Sequence, residues 1–280
     1  MQTLIERIPD GTRSRWLARS SEKPKATIRM FCFPYAGGTT HTYRSWQGLL
    51  PESIDVTPVQ LPGRGQRLSE PPFQHLPELV EALAPEVVPF LDKPFAFFGH
   101  SMGALIGFEL ARWLRRNHKA MPTHLFVSGR QAPPLSELTE PTWDLPEREF
   151  IERVRELNGT TQDILDHPEL MQLMIPLLRA DFAVCETYRY QVEPPLEFPV
   201  TVFGGLDDVE VRYEHLGLWR EQTAAAFRLH VLPGDHFFVQ TAQAEIVQII
   251  AAELAGSSRY VYTKDTRLHR ESSRRNDDRH

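Results

Sequence analysis

Cysteine and long apolar runs are both scarce in this sequence. The 280 residues contain two cysteines, Cys32 and Cys185, which lie far apart and match no metal-ligand spacing. This excludes the disulfide framework of a small secreted protein, and the apolar neighbours of both residues favour buried, reduced thiols. No run approaches the roughly 20 apolar residues of a transmembrane helix, and the N-terminal segment lacks the apolar stretch of a signal peptide.

Basic charge is not concentrated anywhere in the first 250 residues. The chain has 31 Lys and Arg against 37 Asp and Glu, which gives a formal net charge of −6. Nucleic-acid-binding proteins instead carry a basic patch or stripe. We therefore expect a soluble, cytoplasmic monomer that binds neither nucleic acid nor membranes and uses no metal or cofactor.

Short apolar runs alternate with stretches of helical periodicity along most of the chain. The runs that predict strands are continuously apolar, which is typical of strands buried on both faces of a parallel sheet. They read IRMFCF, IDVTPVQL, FAFFGH, HLFVSG, FPVTVFGG and FRLHVLP. Helices are predicted between them, over 76–91, 102–117, 214–222 and 241–254. The alternation predicts an α/β fold in which a doubly wound, mostly parallel sheet carries helices on both faces.

The alternation stops once, between residues 133 and 190, where no strand is predicted. This segment contains an amphipathic helix over 145–159 and a longer one over 168–190, interrupted at Pro176. We expect a single domain over residues 1–255, with a core of about 27–132 and 191–255 and a helical lid insertion of about 133–190. Residues 256–280 are polar and charged, and they predict a disordered tail.

One serine lies between two glycines, in the segment Gly99-His100-Ser101-Met102-Gly103. Glycine tolerates positive φ and leaves room where a side chain would clash. An apolar strand is predicted before this segment and a helix after it, which is the context of a nucleophile elbow. Ser101 is therefore the candidate nucleophile, and His100 is expected to pack or to shape the turn.

A nucleophilic serine needs a base, and the base needs an orienting carboxylate. The acid is expected after a later strand, where Asp207 and Asp208 both occur, with Asp208 preferred. His236 follows the last predicted strand and is the candidate base, whereas Asp235 is interpreted as a turn residue. The carboxyl ends of parallel strands meet at one edge of a sheet, where ligand sites collect.

The roles follow from this order. His236 would take the proton of Ser101, and Asp208 would fix the tautomer of the imidazole. The oxyanion needs two donors, which we assign to the backbone N–H groups of Met102 and of Ala36 in the loop PYAGG. An ordinary turn is the alternative interpretation of that loop.

Several motifs in order resemble one family over residues 28 to 255, nearly the whole core. They read FCFPYAGG, QLPGRGQR, FGHSMGA, LRADF, GGLDD and PGDHFF. Together they resemble the type II thioesterases of polyketide and nonribosomal peptide synthesis, in the α/β-hydrolase superfamily, and are similar to the medium-chain thioesterase of animal fatty-acid synthase. The resemblance implies an α/β-hydrolase fold and an editing enzyme that hydrolyses acyl thioesters from the phosphopantetheine arm of carrier proteins. The family's Gly-x-x-Asp places the acid at Asp208, although Val209 stands where proline is common.

The resemblance also implies roles outside the triad. The inner surface of the lid is expected to include Phe150, Val154, Leu170, Leu173, Met174 and Leu177, unless these residues only pack the lid onto the sheet. Because carrier proteins are acidic, Arg64 and Arg67 are candidate docking residues, and the alternative is that they form salt bridges within their loop.

Three other functions fit the same residues. The chain could be a general carboxylesterase, an acyltransferase that uses the same triad, or a carrier-binding protein without catalysis. The complete set of Ser101, Asp208 and His236 argues against the last of these.

Overall fold

The computed structural model describes residues 14–18, 23–118, 120–138, 141–157 and 167–257. The predicted disordered tail lies outside the described residues, except that 256 and 257 belong to the last helix. The described part of the predicted lid contains no strand. Within the described part of the chain, none of the helices combines the length and the apolarity needed to cross a bilayer.

The described residues form a parallel sheet with the order β2-β1-β3-β4-β5-β6. Its strands are β1 (Ile28–Phe33), β2 (Ile54–Pro58), β3 (Phe95–His100), β4 (His124–Ser128), β5 (Val200–Gly205) and β6 (Phe227–Leu232). β2 lies on one side of β1, and β3 to β6 follow on the other side. The strand order therefore reverses between β1 and β3, which is where open α/β sheets form their ligand crevice.

Helices cover both faces of this sheet. They are α1 (Trp46–Leu49), α2 (Leu76–Val87), α3 (Met102–Asn117), α4 (Glu147–Glu156), α5 (Pro168–Glu186), α6 (Tyr213–Gly217), α7 (Phe238–Thr241) and α8 (Gln243–Ser257). The predicted doubly wound α/β fold is confirmed. The interruption predicted at Pro176 is wrong, because α5 continues through this exposed proline to Glu186. Buried side chains on both sides of it, Ile175 and Leu177, hold the helix together despite the unfavourable residue.

The apolar core consists of two layers, one on each face of the sheet. Successive residues of β1 alternate between them: Phe31 packs into one cluster, and Met30 and Cys32 pack into the other. A strand buried on both faces reads as a continuous apolar run, which is why the strands could be predicted. Neither cysteine is in a disulfide, and burial raises the pKa of the Cys32 thiol well above its usual value. A third, smaller cluster joins α4 and α5 through Phe150, Met171 and Leu178.

Candidate active site

Ser101 lies at the corner between β3 and α3 in a strained backbone conformation. Its φ is 51° and its ψ is −113°, and no other described residue apart from glycines has a positive φ. Such a conformation costs energy in a residue with a side chain and persists only where the surroundings impose it. Here the Ser101 N–H donates to the carbonyl of Ser128 at the end of β4 over 2.8 Å. This corner is the predicted nucleophile elbow.

The two glycines of the elbow supply space, and the positive φ falls on Ser101. A Cβ on Gly103 would lie 2.1 Å from the carbonyl oxygen of Phe33, and one on Gly99 would lie 2.1 Å from the carbonyl carbon of Gly103. Both distances are far inside van der Waals contact. The first turn of α3 can therefore lie directly against β1 and β3 only if these positions carry no side chain.

The structure brings Ser101, His236 and Asp208 into one hydrogen-bonded chain. Nε2 of His236 lies 3.2 Å from Oγ of Ser101, and its Nδ1 lies 2.9 Å from Oδ2 of Asp208. The other carboxylate oxygen of Asp208 accepts the N–H groups of Glu210 and Val211 at 2.9 and 3.1 Å. The Asp208 side chain is 1% exposed. This arrangement allows Nδ1–H to donate to the carboxylate and leaves Nε2 to accept the serine proton.

The two neighbouring aspartates make other contacts. Asp207 is exposed, and its N–H bonds to the carbonyl of Gly234. Asp235 accepts the N–H of Phe237 at 2.9 Å, as expected of a turn residue. Asp208, which the sequence analysis preferred over Asp207, is the aspartate that bonds to His236.

His100 packs beneath the elbow, as expected. Its ring centroid lies 5.2 Å from that of His236, and its Nδ1 lies 2.9 Å from Oγ of Ser128. Burial, followed by the nearby His236, lowers the pKa of His100 well below its usual value, so its ring is neutral. A Cβ on Gly129 would lie 2.6 Å from this ring. His100 thus fills the space between the elbow and the end of β4.

The loop after β1 lies against the same site. Ala36 lines the pocket that contains Ser101, and Met102 is the first residue of α3. Gly37 has a φ of 74°, and a Cβ there would lie 2.7 Å from a methyl group of Leu178. The left-handed backbone at this position favours glycine, and the loop lies close to α5.

A cavity of about 170 Å³ opens beside Ser101 and His236. Its apolar lining includes Tyr35, Val154, Leu157, Leu178, Phe182 and Phe237. Its acids are already paired: Glu210 with Arg153 at 2.5 Å, and Glu186 with Thr142 and the N–H of Trp143. Arg130 also lines the cavity, where its side chain bonds to the Cys185 thiol. The cavity therefore suits an acyl group that is mainly apolar.

The expected lid surface is partly wrong. Val154 lines the cavity, but Leu170 is 44% and Leu173 is 70% exposed on the outer face of α5. The remaining candidates are not part of the cavity lining: Phe150 packs behind the lining residue Phe182, Met174 packs against the cluster between α4 and α5, and Leu177 lies beside Gly63. The face of α5 that packs against α4 carries Met171, Ile175, Leu178 and Phe182 at helical spacing. Of these, Leu178 and Phe182 line the cavity. Sequence reasoning chose neighbouring positions on the same helix.

The docking role expected for Arg64 and Arg67 is also wrong. Their side chains are 3% and 7% exposed, because Arg64 pairs with the buried Asp181 and Arg67 pairs with Glu70. The Arg67 guanidinium also lies over the ring of Trp16, 4.0 Å from its centroid. The alternative interpretation, salt bridges of the loop, is the correct one.

Comparison with known proteins identifies the family of this chain. Residues 28–254 match the thioesterase domain family. The chain is 45% identical over 244 residues to "Linear gramicidin dehydrogenase LgrE" of Brevibacillus parabrevis, covering 86% of this chain and 93% of the relative. It is 43% identical to "Gramicidin S biosynthesis protein GrsT" of Aneurinibacillus migulanus, covering 86% and 94%.

Solved structures are similar over the same extent. The prodiginine-pathway thioesterase RedJ of Streptomyces coelicolor superposes with a TM-score of 0.78 at 36% identity, covering 86% of this chain and 96% of RedJ. BorB, the type II thioesterase of the borrelidin cluster, gives 0.78 at 33% identity, covering 87% and 100%. The chain therefore belongs to the thioesterase family and is a hydrolase of thioesters.

Proposed function

We propose that this enzyme hydrolyses acyl thioesters from the phosphopantetheine arm of carrier proteins, as an editing enzyme of polyketide, nonribosomal peptide or fatty-acid biosynthesis. The observation that carries the proposal is the hydrogen-bonded chain Ser101–His236–Asp208, which opens into a mainly apolar pocket in a chain of the thioesterase family. Similar proteins support the class of pathway, since they include a gramicidin S biosynthesis protein and the type II thioesterase of the borrelidin cluster.

In the acylation step, Nε2 of His236 takes the proton of Ser101 while Oγ attacks the thioester carbonyl carbon. The N–H groups of Met102 and Ala36 would stabilise the oxyanion. When the tetrahedral intermediate collapses, the C–S bond breaks, and the departing pantetheine sulfur takes the proton from His236. Asp208 stabilises the imidazolium throughout, because its carboxylate accepts the Nδ1–H.

In the deacylation step, His236 removes a proton from water as the water oxygen attacks the acyl-serine. The C–O bond to Ser101 then breaks, and the proton returns to Oγ. The free acid leaves, and the enzyme is ready for another acyl group.

We further propose that residues 1–255 act as one catalytic domain, in which the insertion 133–190 is a lid over the acyl pocket. Support comes from Val154 of α4 and Leu178 of α5, which both line the cavity. We propose a monomer because one chain supplies the whole triad. A cytoplasmic location fits the two unpaired cysteines.

The name of LgrE includes the word dehydrogenase, and a nicotinamide-dependent dehydrogenase would require a site for that cofactor. Doubly wound dehydrogenases bind the cofactor's pyrophosphate at a G-x-G-x-x-G turn. That pattern occurs nowhere in these 280 residues, and the loop after β1 reads PYAGG. The residues present therefore favour hydrolysis.

The test compares hydrolysis of acyl-carrier protein, acyl-CoA and p-nitrophenyl esters by the wild type and by Ser101→Ala. We expect thioesters on the carrier to be preferred, and Ser101→Ala to lower kcat by at least about 10⁴-fold. Asp207→Ala is the control. It should leave kcat unchanged, because Asp207 is exposed. Preference for oxygen esters, or activity retained by Ser101→Ala, would contradict the proposal, and transfer to an added alcohol or amine would identify an acyltransferase.

A further inference from the structure

Two sequence motifs that the triad does not use meet inside the protein. Arg64 comes from QLPGRGQR and Asp181 from LRADF in α5, and 117 positions separate them. Their side chains form a two-fold hydrogen-bonded pair, with Nη1 to Oδ2 at 2.8 Å and Nη2 to Oδ1 at 2.7 Å. Each side chain is 3% exposed. A pair held by two parallel hydrogen bonds fixes orientation as well as charge.

The same pair also binds the backbone of the loop after β1. Oδ2 of Asp181 accepts the N–H of Gly37 at 2.7 Å, and Nη1 of Arg64 donates to the carbonyl of Gly38 at 3.2 Å. Both glycines are thus held by one buried ion pair. Their neighbour Ala36 lines the cavity beside Ser101.

We propose that Asp181 and Arg64 are positioning residues, which hold the loop after β1 so that the N–H of Ala36 is directed at the oxyanion. The inference rests on the proposed function. An oxyanion hole works because its donors are fixed before the charge develops. A glycine-containing loop has little stiffness of its own, and the buried carboxylate supplies that stiffness through Gly37.

Asp181 also connects the lid helix α5 to the loop after β1. It lies on α5, between Leu178 and Phe182, whose side chains line the cavity. The lid helix and the oxyanion loop are therefore joined by one carboxylate, so displacement of this part of α5 would also release Gly37.

A purely structural role makes a different prediction from a positioning role. Loss of a well-placed oxyanion donor removes an interaction made in the transition state, so kcat falls while KM changes little. Loss of stability alone lowers the folded fraction, and kcat per folded molecule stays the same. The experiment therefore measures kcat and KM together with the folded fraction from urea denaturation.

The first variant is Asp181→Asn, which keeps the side-chain shape but has a single acceptor oxygen to share. The second is the double variant Arg64→Met/Asp181→Leu, which removes both buried charges and the acceptor for Gly37. Replacing a buried ion pair by apolar residues is often tolerated. If Asp181→Asn fails to fold, kcat can therefore still be measured on the folded double variant. We expect both to lower kcat per folded molecule by 10²-fold or more, with KM within a few-fold of wild type.

The matched control is Arg67→Met, since Arg67 is a buried arginine of the same loop whose hydrogen bonds go to Glu70 and Gln60. It should leave kcat per folded molecule unchanged. Wild-type kcat in the folded double variant, or an equal loss in the control, would overturn the inference. Ser101→Ala, measured beside these variants, reports separately on the proposed function.

Discussion

At the scale of single residues, the elbow depends on the absence of a side chain at two glycines. Ser101 adopts the positive φ, and Gly99 and Gly103 allow α3 to approach the sheet. The requirement at Gly103 is severe, because the atom that a Cβ would meet belongs to the backbone of β1 and cannot rotate away.

We predict that Gly103→Ala prevents stable folding or costs more than about 3 kcal/mol, which overpacking of a rigid site can reach. Gly48→Ala is the control, because nothing lies within 4 Å of the added Cβ and the position is in α1. It should be neutral or stabilise by up to about 1 kcal/mol. Urea denaturation of both proteins makes the comparison, and similar midpoints would contradict it.

We predict that Asp208→Asn lowers kcat by about 10⁴-fold, since an amide cannot hold the imidazole in the reactive tautomer. The neighbouring change Asp207→Asn should leave kcat near wild type, because Asp207 is exposed. Steady-state kinetics on an acyl-carrier substrate give both values. Equal effects of the two substitutions would mean that the orienting carboxylate has been assigned wrongly.

Sequence reasoning could find residues whose position follows from the strand pattern. Ser101, Asp208 and His236 each come shortly after a predicted strand, and parallel strands end at one edge. The bond between Asp181 and Gly37 joins positions 144 apart through a helix and a loop, and no local pattern encodes it. The same holds for Arg130 in the cavity, which sequence reasoning missed.

At the scale of elements, α5 has an inner and an outer face that its sequence does not distinguish. Leucines occur at 170, 173, 177 and 178, so apolar residues cover more of the helix than the inward stripe needs. Which leucine faces the cavity depends on how α5 rotates against α4 and the sheet. That rotation is set by tertiary packing, which the sequence pattern does not encode. The prediction of the inner lid surface was partly wrong for this reason.

We predict that Leu178→Ala changes the dependence of kcat/KM on acyl chain length and costs about 2–5 kcal/mol of stability. Leu173→Ala is the same change on the outer face of the same helix, where the side chain is 70% exposed. It should leave selectivity unaltered and stability within about 0.5 kcal/mol. Chain-length series and urea denaturation measure both, and a selectivity change in Leu173→Ala would contradict the assigned orientation.

At the scale of the whole molecule, the sheet also buries titratable groups. His124 of β4 is buried, with its Nε2 2.8 Å from Oγ1 of Thr201, and burial lowers its pKa to about 3. The ring stacks on Phe126 at a centroid distance of 4.2 Å. The folded protein therefore keeps this imidazole neutral at pH values where an unfolded chain would protonate it.

We predict that the free energy of unfolding falls as the pH drops from about 6.5 towards 3, by about 1 kcal/mol per pH unit from His124. The sign follows because in this range the unfolded state binds a proton that the folded state does not. His124→Gln should reduce the slope between pH 6.5 and 4.5 by about 1 kcal/mol per pH unit, whereas the control His41→Gln, at an exposed position, should leave it unchanged. Identical slopes in wild type and His124→Gln would refute the prediction.

The catalytic candidates follow β3, β5 and β6, three strands that come together only in the completed sheet. No fragment that ends before residue 236 contains the base, and no hairpin-like intermediate can assemble the site, since each parallel pairing needs a long crossover. Catalytic activity should therefore return only when the whole sheet has refolded. After dilution from denaturant, the return of hydrolysis should coincide with the slowest phase in which tertiary order returns.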